Sequence, residues 1–226
     1  MKSPLICAAV AAQTVDELIH RANIAAAHAD LVELRLDHLV NQSSFHLEQL
    51  KNVSKKKCII TCRRRDEGGR WTESEEKRLA VFADAYRMGY AYIDIELRTL
   101  EERQCAIPIK SRSKTIVSYH DFDHTPGLDE LVNISRRMDV FHPQIRKIAT
   151  MVRCEEDIHT LYTLLVNNRE SDAYCIIGMG ALGKQTRIIA PLLGGVLTYG
   201  SLDHEADTAP GQMTCAEMKT IYTLLL

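Results

Sequence analysis

Val32-Glu33-Leu34-Arg35-Leu36-Asp37 alternates apolar and charged residues, and Ile93-Asp94-Ile95-Glu96-Leu97 repeats the pattern further along the chain. A period of two marks a β-strand. In an antiparallel sheet the charged positions would simply face water. The connections argue against that reading. Strand-like segments over 5–10, 29–37, 57–63, 91–97, 114–120, 144–152, 173–179 and 196–201 alternate with helix-like ones. The helix-like segments cover 15–28, 45–50, 99–105, 128–138, 155–166, 185–193 and 215–226. One more is opened by Thr72-Glu73-Ser74-Glu75 and closed by Gly89. Strands joined through helices run parallel, with the helices on one face. The charged face must then point inward, which predicts an α/β protein with the (β/α)8 barrel fold. A doubly wound open sheet explains the alternation of elements as well, but not the polar strand faces. With no internal repeat, linker or low-complexity stretch, residues 1–226 read as one domain.

Charges inside a barrel persist only when paired and hydrogen-bonded. Glu33, Glu67, Asp94 and Glu96 are available to meet Arg35, Arg63, Lys147 and Arg187. Lys147 lies in the middle of the strand Gln144-Ile145-Arg146-Lys147-Ile148-Ala149-Thr150-Met151-Val152. It is either a sheet-edge lysine in water or a desolvated amine able to attack a carbonyl. Most of the charged groups fall late in their strands or in the following loops, toward the rim where barrel active sites are built. Arg63 and His120 end the third and fifth strands. A lysine for carbonyl attack and a histidine for proton transfer are the equipment of imine chemistry.

At 226 residues and 46% hydrophobic, the chain can bury a full core. Its 28 basic and 30 acidic side chains give a net charge of −2, without the clustered basic excess of a nucleic-acid binder. Seven cysteines, an odd number with no Cys-x-x-Cys, suggest neither a disulfide framework nor a zinc finger. Free thiols fit a cytoplasmic protein. The apolar run over 5–12 is followed at once by the capping box Thr14-Val15-Asp16-Glu17, so it reads as a first strand and not a signal peptide. No run reaches membrane-spanning length, so no membrane partner is expected.

Further segments complete an ordered set. Thr61-Cys62-Arg63-Arg64-Arg65-Asp66-Glu67-Gly68-Gly69 follows the third strand, and Ser118-Tyr119-His120-Asp121-Phe122 ends the fifth. Lys147-Ile148-Ala149 lies in the sixth, and Thr208-Ala209-Pro210-Gly211-Gln212 follows the eighth. Together with the Glu-x-Arg-x-Asp strand and Tyr92-Ile93-Asp94-Ile95-Glu96-Leu97, these resemble the type I 3-dehydroquinate dehydratase (3-dehydroquinase) family over nearly the whole chain.

The resemblance implies dehydration of 3-dehydroquinate to 3-dehydroshikimate, a shikimate-pathway step, with no metal or cofactor. Lys147 would form a Schiff base with the substrate ketone. His120 would remove the acidified proton and assist departure of the hydroxyl, a syn elimination. Glu67 would orient His120 and hold up its pKa. Arg187 would grip the substrate carboxylate. Glu33, Arg35, Arg63, Thr208 and Gln212 would hold hydroxyls and order a closing loop over 202–212, and nearby cations would depress the pKa of Lys147. Met179 would border the substrate ring. A homodimer is also implied. Two departures from the family pattern stand out: Thr208 replaces a common serine, and Cys7-Ala8-Ala9 offers no hydroxyl on the first strand.

Rival readings are weaker. Glu33 and Arg35 could form a purely structural ion pair. His120-Asp121-Phe122-Asp123-His124 makes a poor metal site, because adjacent strand positions diverge. A class I aldolase-like barrel would share Lys147 but normally bind a phosphorylated sugar, and nothing beyond Gly194-Gly195 suggests a phosphate loop. A catalytically silent binding barrel would be expected to have lost Lys147, His120 or Glu67.

Overall fold

The computed structural model describes residues 4–103, 114–168, 173–202 and 213–226. These form eight parallel strands: β1 (Leu5–Ala11), β2 (Leu31–Arg35), β3 (Cys58–Thr61), β4 (Tyr92–Glu96), β5 (Thr115–Asp121), β6 (Ile145–Met151), β7 (Tyr174–Met179) and β8 (Leu197–Gly200). Their order is β7-β6-β5-β4-β3-β2-β1-β8. Because β1 pairs with both β2 and β8, the sheet curls round on itself. At the remaining seam the Val196 N–H donates to the Tyr174 carbonyl at 2.9 Å. The result is a nearly closed (β/α)8 barrel in a single domain. Sequential neighbours throughout exclude the doubly wound sheet, whose order reverses at a switch point.

The described helices are α1 (Val15–His28), α2 (Glu75–Met88), α3 (Leu97–Glu102), α4 (Leu128–Asp139), α5 (Glu155–Asn168), α6 (Gly180–Gly183), α7 (Thr186–Leu192) and α8 (Cys215–Leu225). Local chemistry sets several of their ends. The Thr14 side chain accepts from the Glu17 N–H at the start of α1, and Thr214 and Glu217 form a capping box on α8. On α2 the cap is Ser74, two residues inside the predicted start, and Gly89 closes the helix at φ 82°, the left-handed region that glycine enters freely.

Two expectations change. The segment over 45–50 is not an α-helix; 3-10 turns cover Gln42–Ser44 and Leu47–Leu50. Burying Phe45, Leu47 and Leu50 needs only one turn, too few residues to offset α-helix nucleation. The second strand also stops at Arg35, not at Asp37, because Leu36–His38 turns so that the Asp37 carboxylate faces back to Arg35. Asp37 therefore does not continue the inward face.

Alternation divides the interior into two cores. Val32, Leu34, Ile60, Ile93, Ile95, Val117, Ile148 and Ile176 face outward and pack under the helices. Each such side chain stabilises by roughly 1.5–3 kcal/mol. Leu31, Ile59, Ile116, Ile145 and Leu197 face inward and fill the lower lumen. Cys58 and Cys62 are buried in the outer core, and the described cysteines are free.

Candidate active site

Above that apolar floor the inward positions turn charged. On β6, Lys147 is 5% exposed, and its Nζ lies 2.8 Å from Asp94 on β4 and 3.4 Å from Glu33 on β2. Arg63, just beyond β3, donates to Asp94 at 2.7 Å, Glu96 at 3.1 Å and Ser118 Oγ at 2.7 Å. Ser118 donates in turn to Asp94 at 2.7 Å, and Thr61 donates to Glu33 at 2.9 Å. Arg78 of α2, fully buried, reaches Glu96 at 2.7 Å from the helix layer. Each of these buried charges is paired, as burial in a low-dielectric lumen demands.

The expected depression of Lys147 is not found. Burial pulls its pKa down, but Asp94 and Glu33 outweigh burial and Arg63, and hold it above the usual lysine value. The same contacts hold Asp94 far below the carboxylate range against its own burial. The resting nitrogen is a fixed ammonium.

His120 follows Ser118 by two on the same face of β5, next to Ala149 in register and thus nearer the rim than Lys147. Its Nδ1 is 3.1 Å from Glu67 Oε2. Burial, then Arg63 and Lys147, push the imidazole well below the usual histidine value. Burial also pushes Glu67 up to about 8, against the pull of Arg63. Glu67 is thus placed to orient His120, but it does not hold the histidine pKa up, because burial and two cations dominate. Phe122 stacks on the imidazole with ring centroids 6.3 Å apart and packs on Gly68, where a Cβ would come within 2.3 Å of the ring. A cleft of about 570 Å³ flanks Glu67 and His120, but its Arg98 and Arg137 are already paired with Asp66 and Glu101.

Arg187, on α7, enters the lumen from the other side. It is 7% exposed and donates to the Tyr199 carbonyl at 2.9 Å. It has no carboxylate partner among the described residues, and burial lowers its pKa to about 10. A buried guanidinium without a described counter-charge suits an anion.

Lys147, His120, Glu67, Glu33, Arg63 and Arg187 therefore meet at one lumen. Arg35 is bound bidentately by Asp37 at 2.8 and 2.9 Å, and Glu33 is committed to Lys147, so the pair Glu33–Arg35 is not the one formed. Thr208 and Gln212 lie outside the described residues. Met179 packs against the inner core at the end of β7. Sequence reasoning missed Ser118, Arg78 and Tyr199. Ser118 could have been found from its two-residue spacing to His120, whereas Arg78 is one charge on a highly charged helix. Among the described residues no group of three His, Cys, Asp or Glu could hold a metal ion, and no helix is long and apolar enough to cross a membrane.

Known proteins are similar to this chain in sequence and in fold. The family model described as Type I 3-dehydroquinase matches residues 6–226. A 3-dehydroquinate dehydratase of Coxiella burnetii is 34% identical, covering 98% of this chain and 94% of its own. One of Methanococcus maripaludis is 38% identical, covering 98% and 100%. In fold alone, the crystal structure of 3-dehydroquinate dehydratase from Geobacillus kaustophilus HTA426 matches with a TM-score of 0.85 at 24% identity, over 99% of this chain and 91% of that one. With both the family model and these relatives spanning nearly all of it, the chain belongs to the type I 3-dehydroquinase family of hydro-lyases.

Proposed function

We propose that residues 1–226 form one catalytic domain that dehydrates 3-dehydroquinate to 3-dehydroshikimate through an imine on Lys147. The observation that carries the reading is the pairing of a buried lumen lysine with a neutral, carboxylate-oriented histidine on the next strand. The names of relatives sharing a third or more of the sequence support the substrate.

The steps follow from the charges. The Lys147 ammonium first gives up a proton, and the depressed His120 is a neutral acceptor for it. The free amine adds to the ketone, His120 returns that proton to the carbinolamine hydroxyl, and loss of one water leaves a protonated imine and a neutral His120. That cation withdraws electrons from the adjacent carbon, and His120 removes the C–H proton to give a neutral enamine. The enamine expels the β-hydroxyl, which leaves as water with the proton that His120 returns. Hydrolysis then frees the product and regenerates the lysine. Ionised Glu67 accepts the Nδ1–H of His120, which leaves Nε2 as the basic nitrogen.

Arg187 binds the substrate carboxylate, while Glu33, Arg35, Arg63, Thr208 and Gln212 hold its hydroxyls. The working enzyme is a cytoplasmic homodimer of the shikimate pathway. Incubation with 3-dehydroquinate and borohydride, followed by peptide mapping, tests the chemistry. A reduced adduct on Lys147 is expected. Ultraviolet-detected product without an adduct would end the imine mechanism, and neither product nor adduct would end the assigned reaction.

A further inference from the structure

Tyr199 sits on the lumen face of β8, 3% exposed, with Lys147 Nζ over its ring at 4.2 Å from the centroid. A cation within about 6 Å of an aromatic face is attracted by the ring quadrupole, most strongly where water is excluded. The ammonium carries three N–H donors. Asp94 and Glu33 engage the nitrogen at 2.8 and 3.4 Å, and the Tyr199 face lies against it as a third partner without charge. The Tyr199 hydroxyl is buried without a hydrogen-bond partner among the described residues, so the ring and not the hydroxyl meets the lysine. Its carbonyl meanwhile accepts from Arg187 at 2.9 Å. One residue thus touches both Lys147 and the Arg187 guanidinium.

We propose that Tyr199 is a further catalytic residue. Its ring stabilises the Lys147 nitrogen as a cation, in the free ammonium and in the protonated imine, and its carbonyl fixes Arg187 relative to that nitrogen. The imine part rests on the proposed function; the contact with the free ammonium does not. Only a protonated imine acidifies the neighbouring C–H, so a ring that keeps the nitrogen charged keeps the intermediate competent. The ionisable groups acting on Nζ from the surrounding elements are Asp94, Glu33, Arg63, His120, Cys7 and Cys175. All of them remain in the variants below.

The test measures the pKa of Lys147 in the free enzyme, from the pH dependence of its acylation located by peptide mapping. Position 199 carries Tyr, Phe, then mono-, di- and trifluorophenylalanine, which keep the ring shape while draining its negative face. Y199F removes a hydroxyl that has no partner among the described residues and keeps the ring, so it is the reference from which the fluorinated series is read. The pKa should fall stepwise with fluorine. Y199L should lower it by about one unit and reduce kcat roughly 5- to 30-fold, with a smaller change in KM. A pKa indifferent to fluorination, or a Y199F as impaired as Y199L, would overturn the proposal. Circular dichroism identifies a misfolded Y199L, in which case the fluorinated series decides. Borohydride trapping of the wild type separates the two ideas: a missing adduct ends the imine reading, while the pKa series still judges the ring contact.

Discussion

Arg63 and Arg187 are guanidinium groups buried in one lumen, at 3% and 7% exposure, yet their surroundings are opposite. Arg63 belongs to the wall from β2 to β6, where Asp94, Glu96 and Ser118 engage it and Asp94 also holds Lys147. Arg187 faces the wall of β7, β8 and β1, which offers Cys7, Ala9, Cys175, Ile177 and Tyr199. There it finds a backbone carbonyl but no described carboxylate. The first wall is complete and pre-organised. The second holds a cation with no carboxylate beside it among the described residues.

Removing Lys147 tests the complete wall most severely. K147M should abolish turnover and the borohydride adduct while its circular dichroism stays that of a folded barrel. Residual turnover above background would show that the nitrogen is not the nucleophile. The next contrast is between the two arginines. R63M breaks a buried ion network and should cost about 3–5 kcal/mol, read by urea denaturation. R187M should cost little stability, or gain some, because it removes a buried charge that has no carboxylate partner among the described residues. Its KM for 3-dehydroquinate should instead rise roughly 10- to 150-fold, the worth of one or so lost charge-assisted hydrogen bond. If R187M unfolds as readily as R63M, the contrast between the walls fails.

Smaller effects lie in pH. With Glu67 at about 8, kcat/KM should rise as pH passes that value, because the ionised carboxylate then accepts the Nδ1–H and leaves Nε2 basic. E67Q should lose that rise. The stability sign is also set. Between the ordinary 4.5 and about 8, the folded protein keeps a proton that the unfolded chain has released, so this group weakens stability as pH climbs through that window. E67Q should flatten the decline, and an unchanged slope would mean that Glu67 is not the titrating group. Asp94 acts in the opposite sense: its depressed pKa contributes stability above the ordinary carboxylate value that is lost as pH falls through the folded-state pKa.

Much of this was legible in the chain, and the reason is physical. A two-residue alternation states which side chains share a face, so Glu33, Asp94 and Lys147 could be placed indoors before any contact was known. The misreadings arose where a neighbour far in sequence decided the outcome. Lys147 was expected to be depressed by cations, but which charges lie nearest is set by strand register, and Asp94 and Glu33 outweigh Arg63. His120 was expected to be held up by Glu67, but burial in the lumen dominates. The 45–50 segment carries helical residues, yet its one turn of buried contacts favours 3-10 geometry.

By itself the sequence determined the strands, their polar faces, the parallel order that helical crossovers impose, and the roster of charged groups inside the ring. These are short-range or pattern properties, readable from spacing alone. Only the tertiary structure decided which acid meets which base, that Arg187 is left without a described carboxylate, and that Tyr199 lies against Lys147. Those contacts depend on curling the sheet until β8 meets β1, which brings together residues that no local pattern relates.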